Sequence, residues 1–347
     1  QPDPDIYEHQ YIHCDVLVIG AGISGIMAAK TAAKNGLKTL LVDEKPILGG
    51  NTIYKDNEDT SINNQTPSKW ISDQINELEK LDNLEIKKRT SVAAYHGYNY
   101  LLARENLTDH LPIHERKNKI RQRLLKIRAK KVITSTGALE RPLVFNNNDR
   151  PGIMLSSAIK KYADFYGVVS GKKNVFFTNN DSGYETAIEF KKNGIDSVVL
   201  DTRKDPQSEI VDEAKNLGIN IKFSYVVVAA QGYKKVKSAD IAKISDDKEK
   251  LGAVENIKCD CICVSGFWTP TIHLASQSGN KTKFNEDIDA FVPGTSKQNE
   301  TTLGAANGTY TLEETLKSSF EIRFSVRSMP FVDTSDTRIK GISPSSS

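Results

Sequence analysis

The stretch Cys14 to Glu44, CDVLVIGAGISGIMAAKTAAKNGLKTLLVDE, constrains the fold of this chain more than any other. Val16-Leu17-Val18-Ile19 is a short, β-branched apolar run of the kind that forms a parallel strand buried on both faces. It runs directly into Gly20-Ala21-Gly22-Ile23-Ser24-Gly25, a G-x-G-x-x-G loop. An Ala-rich helix is expected from Ile26 to Asn35, stopping at Gly36, where glycine takes up the left-handed C-cap conformation without steric cost. A second apolar strand, Thr39 to Val42, then ends in Asp43-Glu44. Each part has a task in a nucleotide-binding βαβ unit. Gly20 permits the tight turn, Gly22 leaves room for a pyrophosphate against the backbone, and Gly25 lets helix and strand approach each other. The helix start offers unbonded N–H groups and a positive dipole end to phosphate. The acid closing the second strand accepts hydrogen bonds from ribose hydroxyls. Asp43 lies eighteen residues after Gly25 and Glu44 nineteen; either fits, and spacing favours Asp43. An acid rather than Arg or Lys there argues against a 2′-phosphate, so FAD or NAD is expected ahead of NADP.

Three further stretches are candidates for the same ligand. Gly49 and Gly50, just past the acid, let a loop close over the adenosine end. Val132 to Ala138 is an apolar strand running into Thr136-Gly137, where glycine lets a nucleotide lie against the backbone. Gly304-Ala305-Ala306-Asn307-Gly308 precedes a helical pattern from Leu312 to Leu316, so Gly304, Asn307 and Gly308 bring backbone N–H groups toward a phosphate or flavin edge. The candidate set for a dinucleotide is therefore Gly20, Ala21, Gly22, Ser24, Gly25, Asp43, Glu44, Gly49, Gly50, Thr136, Gly137, Gly304, Asn307 and Gly308.

The second half repeats the pattern. Val175-Phe176-Phe177 reads as a strand, Asp181 to Asn193 as a helix stopping at Gly194, and Val198-Val199-Leu200 as a strand ending in Asp201. Gly183 to Asp201 spans eighteen residues, as Gly25 to Asp43 does. The loop between them, Thr178-Asn179-Asn180-Asp181-Ser182-Gly183, keeps only the third glycine. Asn180 stands where backbone must approach phosphate, and Asp181 adds negative charge. Both oppose an anion, so a retained fold with impaired or absent dinucleotide binding is expected, with Asp201 a solvated strand end.

A length of 347 residues accommodates two domains or one duplicated domain. A net charge of +3 makes no case for nucleic acid or a membrane surface, and no apolar run approaches the roughly eighteen residues that span a bilayer. Residues 1–13 are polar and read as a linker rather than a cleavable signal; the start at Gln1 suggests a fragment, a processed chain or an incomplete reading frame. Residues 84–134 read as five strands inserted between the halves of the nucleotide domain, and 233–250 as a charged surface stretch. His96, His110 and His114 have no metal-ligand spacing. Of Cys14, Cys259, Cys261 and Cys263, the last three are expected to alternate along a strand, with Cys259 and Cys263 on one face and Cys261 on the other. There is no C-x-x-C, and buried thiols of a cytoplasmic protein are expected. The domains are expected at 14–150 with 260–317, and 151–259, followed by an irregular tail at 318–347. The fold class is α/β, with two Rossmann-like three-layer nucleotide-binding domains of the glutathione-reductase kind, the second degenerate.

Several motifs match one family. Thr136-Gly137-Ala138-Leu139-Glu140-Arg141-Pro142, Asn148-Asp149-Arg150-Pro151-Gly152, Thr178 to Ser182, Ser265-Gly266-Phe267-Trp268-Thr269-Pro270 and Gly304 to Gly308 resemble the α subunit of heterotetrameric sarcosine oxidase, from about residue 14 to 317. The wider group comprises two-dinucleotide-fold oxidoreductases, including α subunits of opine, proline and hydrogen cyanide-forming dehydrogenases. The resemblance implies an α subunit that holds NAD, FAD or ATP without performing catalysis. It further implies a β subunit whose flavin oxidises a small amine, sarcosine, to glycine. No match to the family's ferredoxin-like opening segment or aminomethyltransferase-like closing domain is expected within residues 1–347, and no catalytic constellation is recognisable from spacing. Alternatives are a stand-alone FAD oxidoreductase and a nucleotide-binding scaffold with no redox role.

Overall fold

The structure, a computed structural model, describes residues 5–54, 61–247, 249–320 and 339–340. It divides into two units: Gln1–Ala138 with Pro270–Ser347, and Leu139–Thr269.

The first unit is built on one sheet in the order Leu84–Lys87, Thr39–Val42, Ile6–Ile19, Ile120–Thr134, Tyr100–Asn106, Thr90–His96. The first four strands are parallel and the last two antiparallel. Ile120–Thr134 changes neighbours along its length: its first part pairs with Tyr100–Asn106, and Val132–Thr134 pairs with Glu300–Thr302 in parallel. Val16 to Ile19 are buried on both faces, which is why that run shows no polar alternation. Val16 and Val18 lie under the helix Ile23–Lys34, together with Trp70 and Ile71 of Pro67–Leu78 and Leu316 of Leu312–Phe320. Leu17 and Ile19 face the other way, into a cluster with Leu40, Val42, Leu101, Leu125 and Ile127.

Several expectations are corrected here. The helix begins at Ile23, three residues ahead of Ile26, because the N–H of Ile26 already donates to the Gly22 carbonyl at 2.9 Å. Residues 6–13 are strand rather than linker: Tyr7 to His13 pair in register with Gln122 to Arg128, and their polarity reflects a second face left open to water. The stretch 84–134 is part of the sheet itself, and Arg121 to Ile127 and Lys131 to Thr134 join in one strand. Pro67–Leu78 is capped by Thr66, whose hydroxyl accepts from the Lys69 N–H, with Pro67 at the first helical position.

The second unit has a five-stranded parallel sheet, Asn220–Phe223, Ser197–Asp201, Asn174–Thr178, Cys261–Ser265, Ile153–Leu155. A three-stranded antiparallel sheet accompanies it: Tyr225–Gln231, Ser238–Ile244 and Leu251–Lys258. Phe176, Val199 and Cys263 pack under the helices Ser156–Tyr166, Ser182–Lys192 and Glu209–Asn216, while Val175, Phe177 and Leu200 pack against the antiparallel sheet. Residues 233–250 are therefore not simply a charged surface: Ala239, Ile241 and Ala242 of the central antiparallel strand are fully buried.

The expected boundaries at 150 and 260 also move. Cys261–Ser265 pairs between Asn174–Thr178 and Ile153–Leu155, so it belongs to the second unit's sheet and not to the first. The expected alternation of the cysteines fails because residues two apart on a strand share a face. Cys261 and Cys263 lie side by side, Sγ to Sγ 3.8 Å, and Cys259, just before the strand, joins the opposite cluster. All four cysteines are free and buried; burial pushes the Cys14 and Cys259 thiols up to about 12. Of the tail expected to be irregular, residues 318–320 finish the helix Leu312–Phe320 and Ile339–Lys340 pairs with Ser61–Ile62; the remainder lies outside the described residues, as do residues 55–60 of the polar stretch before Pro67.

Leu17 is 0% exposed at the centre of the first sheet. Leu17→Ala is expected to destabilise the protein by about 2–5 kcal/mol, through lost transfer energy and an unfilled cavity. Chemical denaturation measures this, and a loss below about 1 kcal/mol would contradict the packing described.

Candidate functional site

The first glycine loop is shaped by three close approaches. Gly20 has φ +94°, and a Cβ on it would stand 2.3 Å from the Ser135 carbonyl oxygen. A Cβ on Gly25 would stand 1.8 Å from the Gly20 carbonyl oxygen. Both distances exclude any side chain at the two glycines, so strand end and helix start meet backbone to backbone, with the Ser135 segment packed against them. Gly22 is different. It has extended backbone, it is the N-cap of Ile23–Lys34 without a side-chain cap, and a Cβ on it would meet nothing within 4 Å. Beside the helix start, where N–H groups lack carbonyl partners within the helix, there is open ground.

Asp43 closes this ground on one side. Its carboxylate accepts from the Ala21 N–H at 2.6 Å and from the Lys45 N–H at 2.7 Å. It is half-buried at the strand end, whereas Glu44 is exposed. The geometry thus separates the two acids that spacing left open: Asp43 sits on the glycine loop. Gly49 and Gly50 lie against the same loop. The Gly49 N–H donates to the Ala21 carbonyl at 2.8 Å, and a Cβ on Gly50 would be 3.0 Å from the Gly22 Cα.

The remaining candidates converge from the sheet's other strands. Ser135, which is not among the residues that the sequence motifs single out, is buried and donates its hydroxyl to the carbonyls of Ile19 at 2.9 Å and Gly20 at 2.8 Å. Its only sequence signal is its place beside Thr136-Gly137. Thr136 donates its hydroxyl to the Thr271 carbonyl at 2.9 Å, and the Thr271 N–H returns to the Gly137 carbonyl at 3.0 Å. Gly304, with φ +62°, lies on Ser24: a Cβ there would be 2.2 Å from the Ser24 Oγ. The short turn Gly304–Asn307 is anchored by the Leu303 N–H donating to the Thr134 carbonyl at 2.9 Å. Asn307 is exposed, and Gly308, with φ +82°, closes the turn. Gly20 to Gly25, Asp43, Gly49, Gly50 and Gly304 are therefore brought together, Thr136 and Gly137 continue from the strand beside Gly20, and Glu44 is exposed. Among the described residues no group of three His, Cys, Asp or Glu side chains is placed to hold a metal.

The second loop keeps the shape and loses the opening. A Cβ on Gly183 would stand 2.5 Å from the Thr178 Oγ1, so helix and strand again approach closely, here glycine against side chain and not against a backbone carbonyl. Asn180 is buried, and its amide donates to the Ser265 carbonyl at 3.0 Å. Its side-chain oxygen accepts from the Ser182 N–H at 3.0 Å, so a protein side chain occupies the helix start. Asp201, expected in solvent, is 0% exposed. Arg203 donates to it from Nη2 at 2.8 Å and to Asp181 from Nη1 at 2.7 Å, and the Tyr184 hydroxyl donates at 2.7 Å. Burial opposes the Arg203 charge, yet these carboxylates raise its pKa overall. The correction has a physical reason: an acid that would lie open to a ribose is instead neutralised by a cation two residues along, which the spacing from Gly183 could not reveal.

A parallel sheet, a glycine loop at its carboxyl edge and an acid ending the next strand define an α/β dinucleotide-binding fold like that of FAD-dependent oxidoreductases. The chain belongs to the pyridine nucleotide-disulphide oxidoreductase family, whose family model matches residues 14–292. It is 35% identical over 310 residues to sarcosine oxidase subunit alpha of Corynebacterium sp. (strain P-1), covering 89% of this chain and 32% of that one. The chain thus spans 32% of the length of that curated relative. Among solved structures, L-proline dehydrogenase from P. horikoshii superposes with a TM-score of 0.61 at 22% identity, over 86% of this chain and 52% of that one. T. acidophilum thioredoxin reductase does so with a TM-score of 0.66 at 17% identity, over 88% and 95%. At those identities the likeness is one of fold. The sequence carries no C-x-x-C to go with the disulphide chemistry in the family's name.

The closure of the second loop leads to a count. Asn180→Ala and Asp201→Asn are each expected to leave nucleotide content at one per chain, read by chromatography of the nucleotide released on denaturation. Two nucleotides in the unmutated protein, one of them lost in these variants, would overturn the description of the second loop as closed.

Proposed function

We propose that this chain binds one dinucleotide, FAD or NAD, on the Gly20–Gly25 loop, and that it is the nucleotide-binding portion of an α subunit in a hetero-oligomeric amine oxidase acting on sarcosine. The observation that carries the reading is the open ground at Gly22, between the Asp43 carboxylate and an uncapped helix start. Pyrophosphate suits that ground because Gly22 offers no side chain and the helix offers N–H donors and its positive end. Asp43 is held at the loop by two backbone N–H groups and keeps lone pairs for ribose hydroxyls. Gly49, Gly50 and the turn Gly304–Asn307 border the loop, so backbone rather than long side chains would surround the ligand.

In this reading the complex converts sarcosine to glycine, with formaldehyde or methylene-tetrahydrofolate and hydrogen peroxide as further products. A flavin held by a partner β subunit supplies the acceptor for the substrate's electrons. This chain positions its own nucleotide and supports the assembly, and by itself it does not turn over the amine. The naming of its relative as a subunit supports the assembly, and the lack of a recognisable catalytic constellation supports the inactivity of the isolated chain. Free, buried thiols at all four cysteines support a cytoplasmic setting. Among the described residues no helix is long and apolar enough to cross a membrane.

Gly22→Val tests the loop. The position has ordinary φ and room for a Cβ, so the fold is expected to stand while the branched side chain fills the pyrophosphate's ground. Affinity for the nucleotide identified from the unmutated protein is expected to fall about 100-fold or more by calorimetry, roughly 2.7 kcal/mol. Unchanged affinity would sink the assignment. The visible spectrum of the purified chain tells FAD from NAD.

Activity gives a separate measure. Purified chain supplied with FAD and FMN is expected to release no hydrogen peroxide from sarcosine above the free-flavin background. Clear turnover would replace the subunit reading with a stand-alone oxidoreductase.

A further inference from the structure

The first unit's sheet has a second face to account for. Toward the N-terminal ends of Ile6–Ile19 and Ile120–Thr134 one face is buried, carrying Ile12, Cys14, Leu125, Ile127 and Ala129. On the opposite face, register aligns His13, Arg128, Tyr100 and His96 in a row across four strands. The neighbouring row holds Tyr11, Lys126 and Leu102, and Arg104 stands in the row after it. Tyr11 is 68% exposed, and Arg104, Arg128, His13 and His96 are exposed as well.

The distribution of charge on these strands is one-sided. The carboxylates of Glu8 and Glu105 lie on the buried side, where Arg123 donates to both at 2.6 and 2.9 Å. The exposed rows contain no acid; beyond them comes Asp15, already paired with Lys130 at 2.7 Å. The cations are fixed in place by rings. Lys126 Nζ is 4.8 Å from the centre of the Tyr11 ring, and Arg128 is 5.0 Å from that of Tyr100. Among the described residues their polar contacts are the Tyr11 hydroxyl and the Tyr98 carbonyl, both neutral. Arg and Tyr around a half-buried leucine is the composition of a protein-binding centre, and pre-ordered side chains reduce the entropy lost on docking.

We propose that this four-stranded face docks an acidic surface of a second, different protein chain. The complementary charge is what the face lacks, and carboxylates reaching Lys126 and Arg128 would complete pairs already half built. A second copy of this chain would bring the same cations against themselves. Nucleic acid is disfavoured because the Tyr11 and Tyr100 rings, which bases would stack on, are covered by their own cations. The inference rests on the subunit reading above for the identity of that chain, the flavin-bearing subunit of the oxidase.

The test uses the full chain co-purified with that subunit. Lys126→Glu with Arg128→Glu is expected to weaken the complex about 100-fold, with the neutral pair Lys126→Gln and Arg128→Gln intermediate. Bound-nucleotide content is expected to stay unchanged in both, showing that the fold is intact. Hydrogen exchange should be slowed by the partner in 6–13, 100–106 and 120–128. Full affinity in the charge-reversed chain, or protection confined to other segments, overturns the docking face and leaves the subunit reading standing. No complex with the unmutated chain overturns the subunit reading and this inference with it. A single-stranded DNA oligonucleotide that binds the unmutated chain and not the charge-reversed one would assign the face to nucleic acid instead.

Discussion

The first unit depends on one contact between backbones, the helix start at Gly25 lying on the carbonyl of Gly20. No side chain fits in that gap, and so the helix can begin immediately beside the strand end. From this follow the direction of the helix dipole, the opening at Gly22 and the place of Asp43. Ser135 secures the arrangement from the neighbouring strand by donating to the carbonyls of Ile19 and Gly20, the two residues before the turn completes. Gly304 presses on Ser24 from a third direction. The candidate site is thus built largely of main chain, with the Asp43 carboxylate at its rim.

The two loops show how local chemistry divides one fold into two uses. Gly183 keeps the position of Gly25 and lies against the strand end, here on the Thr178 side chain instead of a backbone carbonyl. What differs is what stands at the helix start. In the first loop, among the described residues, nothing lies within 4 Å of a Cβ built on Gly22; in the second, Asn180 satisfies the Ser182 N–H and Arg203 neutralises Asp181 and Asp201. An anion would have to displace a buried, bonded amide and approach a paired carboxylate, and both steps carry a desolvation cost.

The parts legible in the sequence are those whose physics is local. The apolar run, the glycine spacing and the acid spacing depend on near neighbours, so Gly20, Gly22, Gly25 and Asp43 stand out from the residue order by itself. Ser135 does not, because its importance comes from carbonyls 115 and 116 positions away. The strand nature of residues 6–13 is hidden for a related reason: a strand buried on one face looks polar until its partner, Gln122 to Arg128, is known. The placement of Cys261–Ser265 likewise depends on pairing with Asn174–Thr178, which no spacing in that stretch announces.

The division of the chain has a consequence for its synthesis. The second unit is one uninterrupted segment, Leu139–Thr269, whereas the first closes only when Glu300–Thr302 pairs with Val132–Thr134. On a ribosome the middle of the chain therefore has all of its contacts available before the beginning does. The glycine loop, translated ahead of Glu300–Thr302, waits for its last wall, and through that interval the apolar edge of Val132–Thr134 is exposed to whatever else binds strands. A chaperone that shields this edge would act on the glycine-loop unit until Glu300–Thr302 has been made.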